Sequence, residues 1–175
     1  MNKVPANREI ISRVDEIYNW LDEELSSQSV SAGSCGICGK CCDFDAFGHR
    51  LFVTTPEMLF FANKIGSRNI TGHFTTVIPA KAGIQESVCN ETSSIKISGG
   101  RCPYQVDGKC SVYEHRFASC RIFCCKGNPD FQSNLSESVV KKFKALCDEF
   151  QIPYRYVDLP TALQVKNDSP ASRPS

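Results

Sequence analysis

An excess of charge of either sign is missing from this sequence. Its 175 residues carry 20 Lys plus Arg against 19 Asp plus Glu, a formal net charge of +1. A partner bound through its phosphate backbone is therefore disfavoured, because such binding draws on a marked basic surplus. Long apolar runs are missing too. No stretch reaches the roughly 18 apolar residues that a membrane span needs, and the opening MNKVPANREI lacks the apolar core of a secretory signal. There is no Gly-rich phosphate loop, no G-x-S-x-G elbow and no H-E-x-x-H pair, so nucleotide, serine-hydrolase and zincin chemistry have no motif to stand on. Apolar residues themselves are scarce. The 41% hydrophobic share counts the cysteines, and without them it falls to roughly a third, against about 45–50% (glycine included) in ordinary globular chains.

What the chain has instead is cysteine: 11 of them, roughly 6% of the residues, below a small disulfide scaffold but well above ordinary usage. With no secretory signal, the expected compartment is the cytoplasm, where thiols stay reduced. Clustered cysteines there are metal ligands or catalytic groups more often than disulfides.

Nine of the eleven fall into two groups. The first is Cys35-Gly36-Ile37-Cys38-Gly39-Lys40-Cys41-Cys42, two C-G-x triplets closed by a double cysteine. Two-residue spacers turn successive thiolates toward one ion, and glycine permits the positive φ of the tight turns between them. Adjacent side chains diverge in regular backbone, so Cys35, Cys38 and one of Cys41 and Cys42 are expected at one centre, with the other facing a second centre or bridging. The second group is Cys102, Cys110, Cys120, Cys124 and Cys125. Asp107-Gly108 signals a hairpin between Cys102 and Cys110. A three-residue loop would set these two on one face and a two-residue loop would oppose them, so a shared centre favours the longer loop. Val112 to Phe117 is expected to form a helical turn that delivers Cys120 and Cys124, one turn apart if helical. His115 is a further candidate ligand. His49 and His73 read as surface or packing residues, Cys89 as a bystander, and Cys147 as a small core residue on a helix stripe.

The segments CGICGKCC and RCPYQVDGKCSVYEHRFASCRIF resemble the YkgJ-type cysteine-cluster family, a zinc- or iron-chelating domain with a CxxCxxCC signature. The matching residues are Cys35, Cys38, Cys41, Cys42, Cys102, Cys110, Cys120 and Arg121, with Tyr113 and Arg116 in the intervening pattern. The sequence departs from the pattern at Phe117, where the family usually has proline, and at Cys124-Cys125. The resemblance implies metal chelation and supplies no reaction. A flagellin lysine methylase carries a related cluster, so an enzyme using the centre as a redox or methyl-transfer accessory is one alternative, and an interaction module with structural zinc is another.

Zinc takes four closed ligands, usually in paired C-x2-C knuckles. The C-x2-C-x2-C run and the remote Cys102-Pro103 are closer, in part, to the ferredoxin pattern. An iron–sulfur cluster is therefore favoured over zinc, with Cys35, Cys38, Cys41, Cys42, Cys102, Cys110, Cys120 and Cys124 as ligand candidates. Of the basic residues among them, Lys40, Arg101, Lys109, Arg116, Arg121 and Lys126, Arg121 stands out by its motif position as the one to offset thiolate charge.

Around these groups, Ile10, Ile11, Val14, Ile17, Tyr18, Leu21 and Leu25 recur at helical spacing and predict an amphipathic helix over 8–25. SSQSVSAGS reads as a flexible connection. Thr55 as cap, Pro56 and Glu57 predict a helix start, with Met58, Leu59, Phe61 and Ala62 as its packing face and Gly66 as its end. Asn134 and Glu137 have capping-box spacing ahead of a helix over 135–150. VIPAKAGIQES at 77–87 resembles the translation of dispersed palindromic repeats of bacterial genomes, so about 71–98 is expected to be an inserted loop. The expected architecture is α+β, mainly α: a small, loop-rich, metal-stapled domain with amphipathic helices and a short β-hairpin. Residues 1–30 form the first helix and linker, 31–158 the cysteine-cluster domain, and 159–175 a disordered tail.

Overall fold

The computed structural model describes residues 5–44, 50–66 and 101–163. It is an α+β fold in which helix dominates. Helix α1 (Pro5–Ser27) buries Ile10, Val14, Tyr18 and Leu21. Their steps of four, four and three residues keep one stripe facing inward. The expected flexible connection is instead a helical turn, α2 (Ser29–Ala32), because Ala32 is buried and the Ser31 carbonyl accepts from the Asn128 N–H at 2.8 Å.

Strand β1 (Phe52–Thr54) runs into helix α3 (Thr55–Ile65). The cap is Thr54, one residue before the expected Thr55: its backbone N–H and hydroxyl both donate to Glu57, at 2.9 and 2.8 Å. Thr55 is occupied elsewhere. Its hydroxyl donates to the Pro153 carbonyl and accepts from the Arg155 N–H. Met58 and Phe61 are buried as expected and Phe60 joins them, while Leu59 and Ala62 are only partly covered.

Strands β2 (Gln105–Val106) and β3 (Lys109–Cys110) form the hairpin. Helices α4 (Ala118–Ile122) and α5 (Pro129–Phe150) follow. Helix α5 starts six residues before the expected 135, because Asn128, Pro129 and Asp130 are the operative signal: the Asn128 side chain caps the Phe131 N–H at 2.9 Å, proline opens the first turn and an acid follows it. Strand β4 (Tyr156–Asp158) pairs antiparallel with β1, Val53 opposite Val157, and the Phe52 and Tyr156 rings stack at 4.9 Å. Residues 159–163, expected in the disordered tail, are instead helix α6 (Leu159–Leu163), which buries Leu159, Ala162 and Leu163. The expected insert at 71–98 lies outside the described residues, as do Cys89, His49, His73 and 164–175.

Two cores result. One joins the α1 stripe to Phe60 and to Ala118, Ile122, Leu135, Val139, Phe143 and Leu146, so the first helix packs into the body of the fold. The other gathers Phe44, Leu51, Val53, Met58, Phe61, Phe117, Leu159, Ala162 and Leu163, with Cys102 among them. Helix α3 contributes to both. Between them Glu57, 2% exposed, accepts from Thr54, from the Ala118 N–H at 2.8 Å and from the Tyr18 hydroxyl at 3.2 Å. Among the described residues no helix is long and apolar enough to cross a membrane.

Candidate functional site

The second core is the back wall of a cavity of about 90 Å³. Nine cysteines line it: Cys35, Cys38, Cys41, Cys42, Cys102, Cys110, Cys120, Cys124 and Cys125. Phe44, Leu51, Phe61, Phe117 and Leu159 form the apolar wall behind them. The eight sequence-derived ligand candidates thus share one cavity, and Cys125, left uncertain by the sequence, joins them.

Several local devices bring these segments together. The Cys35–Cys38 loop is exposed and has no regular structure, with Ile37 at φ 50°. Gly39, at φ 69°, then reverses the chain into a 3-10 turn over Lys40–Cys42. The Gly39 carbonyl accepts from the Gln105 side chain at 2.6 Å, and a Cβ on this residue would collide with the Gly108 carbonyl. Beyond the turn, Asp43 and Arg101 form an antiparallel bridge reinforced by an ion pair of 2.8 Å, and the Cys102 N–H donates to the Cys42 carbonyl at 2.7 Å.

The hairpin has a two-residue loop, with Gln105 opposite Cys110 and Val106 opposite Lys109. Asp107 and Gly108 lie at φ 50° and 74°, the positive pair that a tight hairpin turn of this length requires. The expected three-residue loop is therefore absent. Cys102 and Cys110 reach the same cavity nonetheless, because Cys102 lies outside the ladder, in a turn closed by Gln105 N–H to Cys102 C=O at 3.1 Å, and the alternation of faces does not bind it. Tyr113–His115 is the expected turn, as a 3-10 segment, and Cys120 follows on α4. Helix α4 ends at Ile122, so Cys124 enters the cavity from just past it.

Cys41 and Cys42 do not diverge as a regular backbone implies. In the 3-10 turn both face the cavity, the Cys41 thiol hydrogen-bonded to Cys42 and Cys42 in turn to Cys102. The hydrogen bond to Cys42, then burial, holds the Cys41 thiol far above its ordinary value. Cys42 is pushed up to about 12, first by its bond to Cys102. Burial, then the charge of Cys42, raises Cys120 strongly. Protons are thus held tightly in this group, and a cation that takes their place must release them.

Arg116 is the guanidinium that faces the thiols. It lies 3.6 Å over the Tyr113 ring, donates to the Tyr113 and Cys120 carbonyls, and opposes the upward shifts of Cys41 and Cys120. The expectation for Arg121 is corrected: it clasps α1, pairing with Asp22 at 2.7 Å and lying over the Tyr18 ring, while donating to the Arg116 and Glu114 carbonyls. The sequence signal for Arg116 was Tyr113, three residues upstream on the same turn. His115 is not among the lining residues. Cys147 is a core residue as expected, 1% exposed, its thiol pushed up to about 11 by burial.

Among the described residues no three His, Cys, Asp or Glu side chains converge closely enough to hold a metal ion. The donor chemistry fits a thiophilic metal all the same: sulfur ligands in an apolar cavity suit zinc or an iron–sulfur cluster and ill suit a hard, oxygen-seeking ion. Cys41, Cys42, Cys102, Cys110 and Cys120 are the electrostatically coupled set. Cys35, Cys38 and Cys125 are exposed and Cys124 is buried. No family model, curated protein or solved structure matches the chain.

Proposed function

We propose that this chain is a thiolate metal-binding protein of the YkgJ type that holds an iron–sulfur cluster. One observation carries the reading: nine cysteines from well-separated stretches of the chain line a single apolar cavity. The C-x2-C-x2-C run with the remote Cys102-Pro103, closer to the ferredoxin pattern than to paired zinc knuckles, is why the cluster is preferred. Cys41, Cys42, Cys102, Cys110 and Cys120 would supply the inner thiolates, and Cys35, Cys38 and Cys124 would join by movement of their loops. When bound, the cluster supplies redox capacity. The chain's own residues supply soft ligands, an apolar wall that limits water, and the Arg116 charge facing the thiolates. A reducing cytoplasmic setting, in which the thiols stay free, belongs to the same reading.

Anaerobic purification with metal analysis and a visible spectrum tests it. The expected result is a brown protein, bleached by reductant, with iron and sulfide bound in stoichiometric amount. Colourless protein with stoichiometric zinc would overturn the cluster in favour of zinc, and protein that takes up neither would overturn metal binding itself.

A further inference from the structure

The bridge beneath the cavity sets up a second chemistry. Asp43 and Arg101 are antiparallel partners, and one residue further along each segment the Cys102 N–H donates to the Cys42 carbonyl at 2.7 Å, which ties the two cysteines side by side. Cys42 ends the 3-10 turn, its own N–H donating to the Gly39 carbonyl at 3.0 Å, so the single bond from Cys102 is the backbone tie between them; a disulfide needs Cα atoms roughly 4.4–6.8 Å apart. Both side chains line the cavity, and the Cys42 thiol is hydrogen-bonded to Cys102. Cys41 also touches Cys42. It is a poor partner, since the Cα atoms of consecutive residues are only about 3.8 Å apart, short of the disulfide range.

We propose that Cys42 and Cys102 are a redox pair, converted to a disulfide by a small-molecule disulfide such as oxidised glutathione. Cys42 is half-buried and Cys102 is buried, so exchange starts at Cys42, slowly, because that thiol holds its proton tightly. Its thiol gives up a proton and the sulfur attacks one sulfur of glutathione disulfide, breaking that S–S bond and expelling one glutathione thiolate. Cys102 then loses its proton and attacks the Cys42 sulfur, expelling the second glutathione thiolate. Two protein thiols are oxidised, one glutathione disulfide is reduced to two thiols, and the two released protons match the two thiolates. On the metal-binding reading above, on which this consequence rests, the reaction removes two inner ligands and empties the centre.

The test exposes the full chain, purified under reducing anaerobic conditions, to oxidised glutathione with and without a chelator. Free thiols are then alkylated, the protein digested and the cross-links mapped by mass spectrometry, with bound metal counted in the same samples. The expected result is a loss of two alkylatable thiols per chain, a dominant Cys42–Cys102 cross-link, and its disappearance in Cys42→Ser and in Cys102→Ser. Cross-links concentrated at the exposed Cys35, Cys38 or Cys125, or none in either arm, would overturn the pair. A Cys42–Cys102 cross-link in a protein that never held metal would uphold the pair and overturn metal binding, so the two readings fail separately.

Discussion

Glu57 holds a carboxylate inside the protein, and burial raises its pKa above the ordinary 4.5 in spite of the donors from Ala118, Thr54 and Tyr18. The native state therefore binds this proton more tightly than the unfolded chain does. The stability it confers is complete below the ordinary carboxyl value and is lost as pH rises through the raised native one. In urea denaturation across that window, wild type should weaken with rising pH. Glu57→Gln should be weaker by about 1–3 kcal/mol, because the amide nitrogen must face a backbone N–H at Thr54 or Ala118, and its gap from wild type should narrow as pH rises. A variant as stable as wild type with the same pH slope would contradict this. The role of Glu57 was half legible. Its place in a first helical turn is a sequence pattern, but Tyr18 and Ala118 are 39 and 61 residues away, and no local pattern joins them. Arg121 and Arg116 show the same limit, since motif position does not say which of two nearby guanidinium groups turns toward the thiols.

At the scale of elements, periodicity located the helices, and capping chemistry set their ends less securely. The α1 stripe reads directly from spacing because tertiary burial follows the same 3.6-residue period. Thr54 and Thr55 are chemically equivalent caps, and only the hydrogen bonds of Thr55 to Pro153 and Arg155 decide between them. Asn134 matched a capping pattern from inside a helix that Asn128 had already begun. The convergence of the cysteine segments was the least legible part, because it depends on turns rather than periods. Gly39 makes the sharpest test of that convergence. Alanine there meets a left-handed φ of 69° and the Gly108 carbonyl, a backbone group unable to rotate away. Gly39→Ala should cost at least about 1–2 kcal/mol and speed the reaction of Cys41 and Cys42 with a thiol reagent. Gly36→Ala, whose Cβ meets nothing within 4 Å, should change stability little. Equal effects of the two would remove Gly39 as the hinge between loop and hairpin.

For the whole molecule, the division into two cores has an observable consequence. None of the cavity cysteines belongs to the core built on α1 and α5, whereas Cys102 belongs to the other, with Cys42 and Cys120 packed against it. If metal ligation contributes to folding, a chelator should speed amide hydrogen exchange across 102–125 while α1 and α5 keep their protection. Equal loss in both regions would mean that the two cores open as one unit. The thin apolar share of the sequence was the trace of this arrangement, since cysteines take places in and against the second core that aliphatic side chains would otherwise hold. That core is also completed from far along the chain: Leu159, Ala162 and Leu163 pack with Leu51, and the Leu159 N–H donates to the Leu51 carbonyl at 2.7 Å. A ribosome adding about 5–20 residues per second therefore finishes all nine cavity cysteines a few seconds before α6 exists to close the wall behind them. The thiols are born ahead of their shelter, and the order of synthesis gives any metal or thiol-protecting partner an interval in which to reach them first.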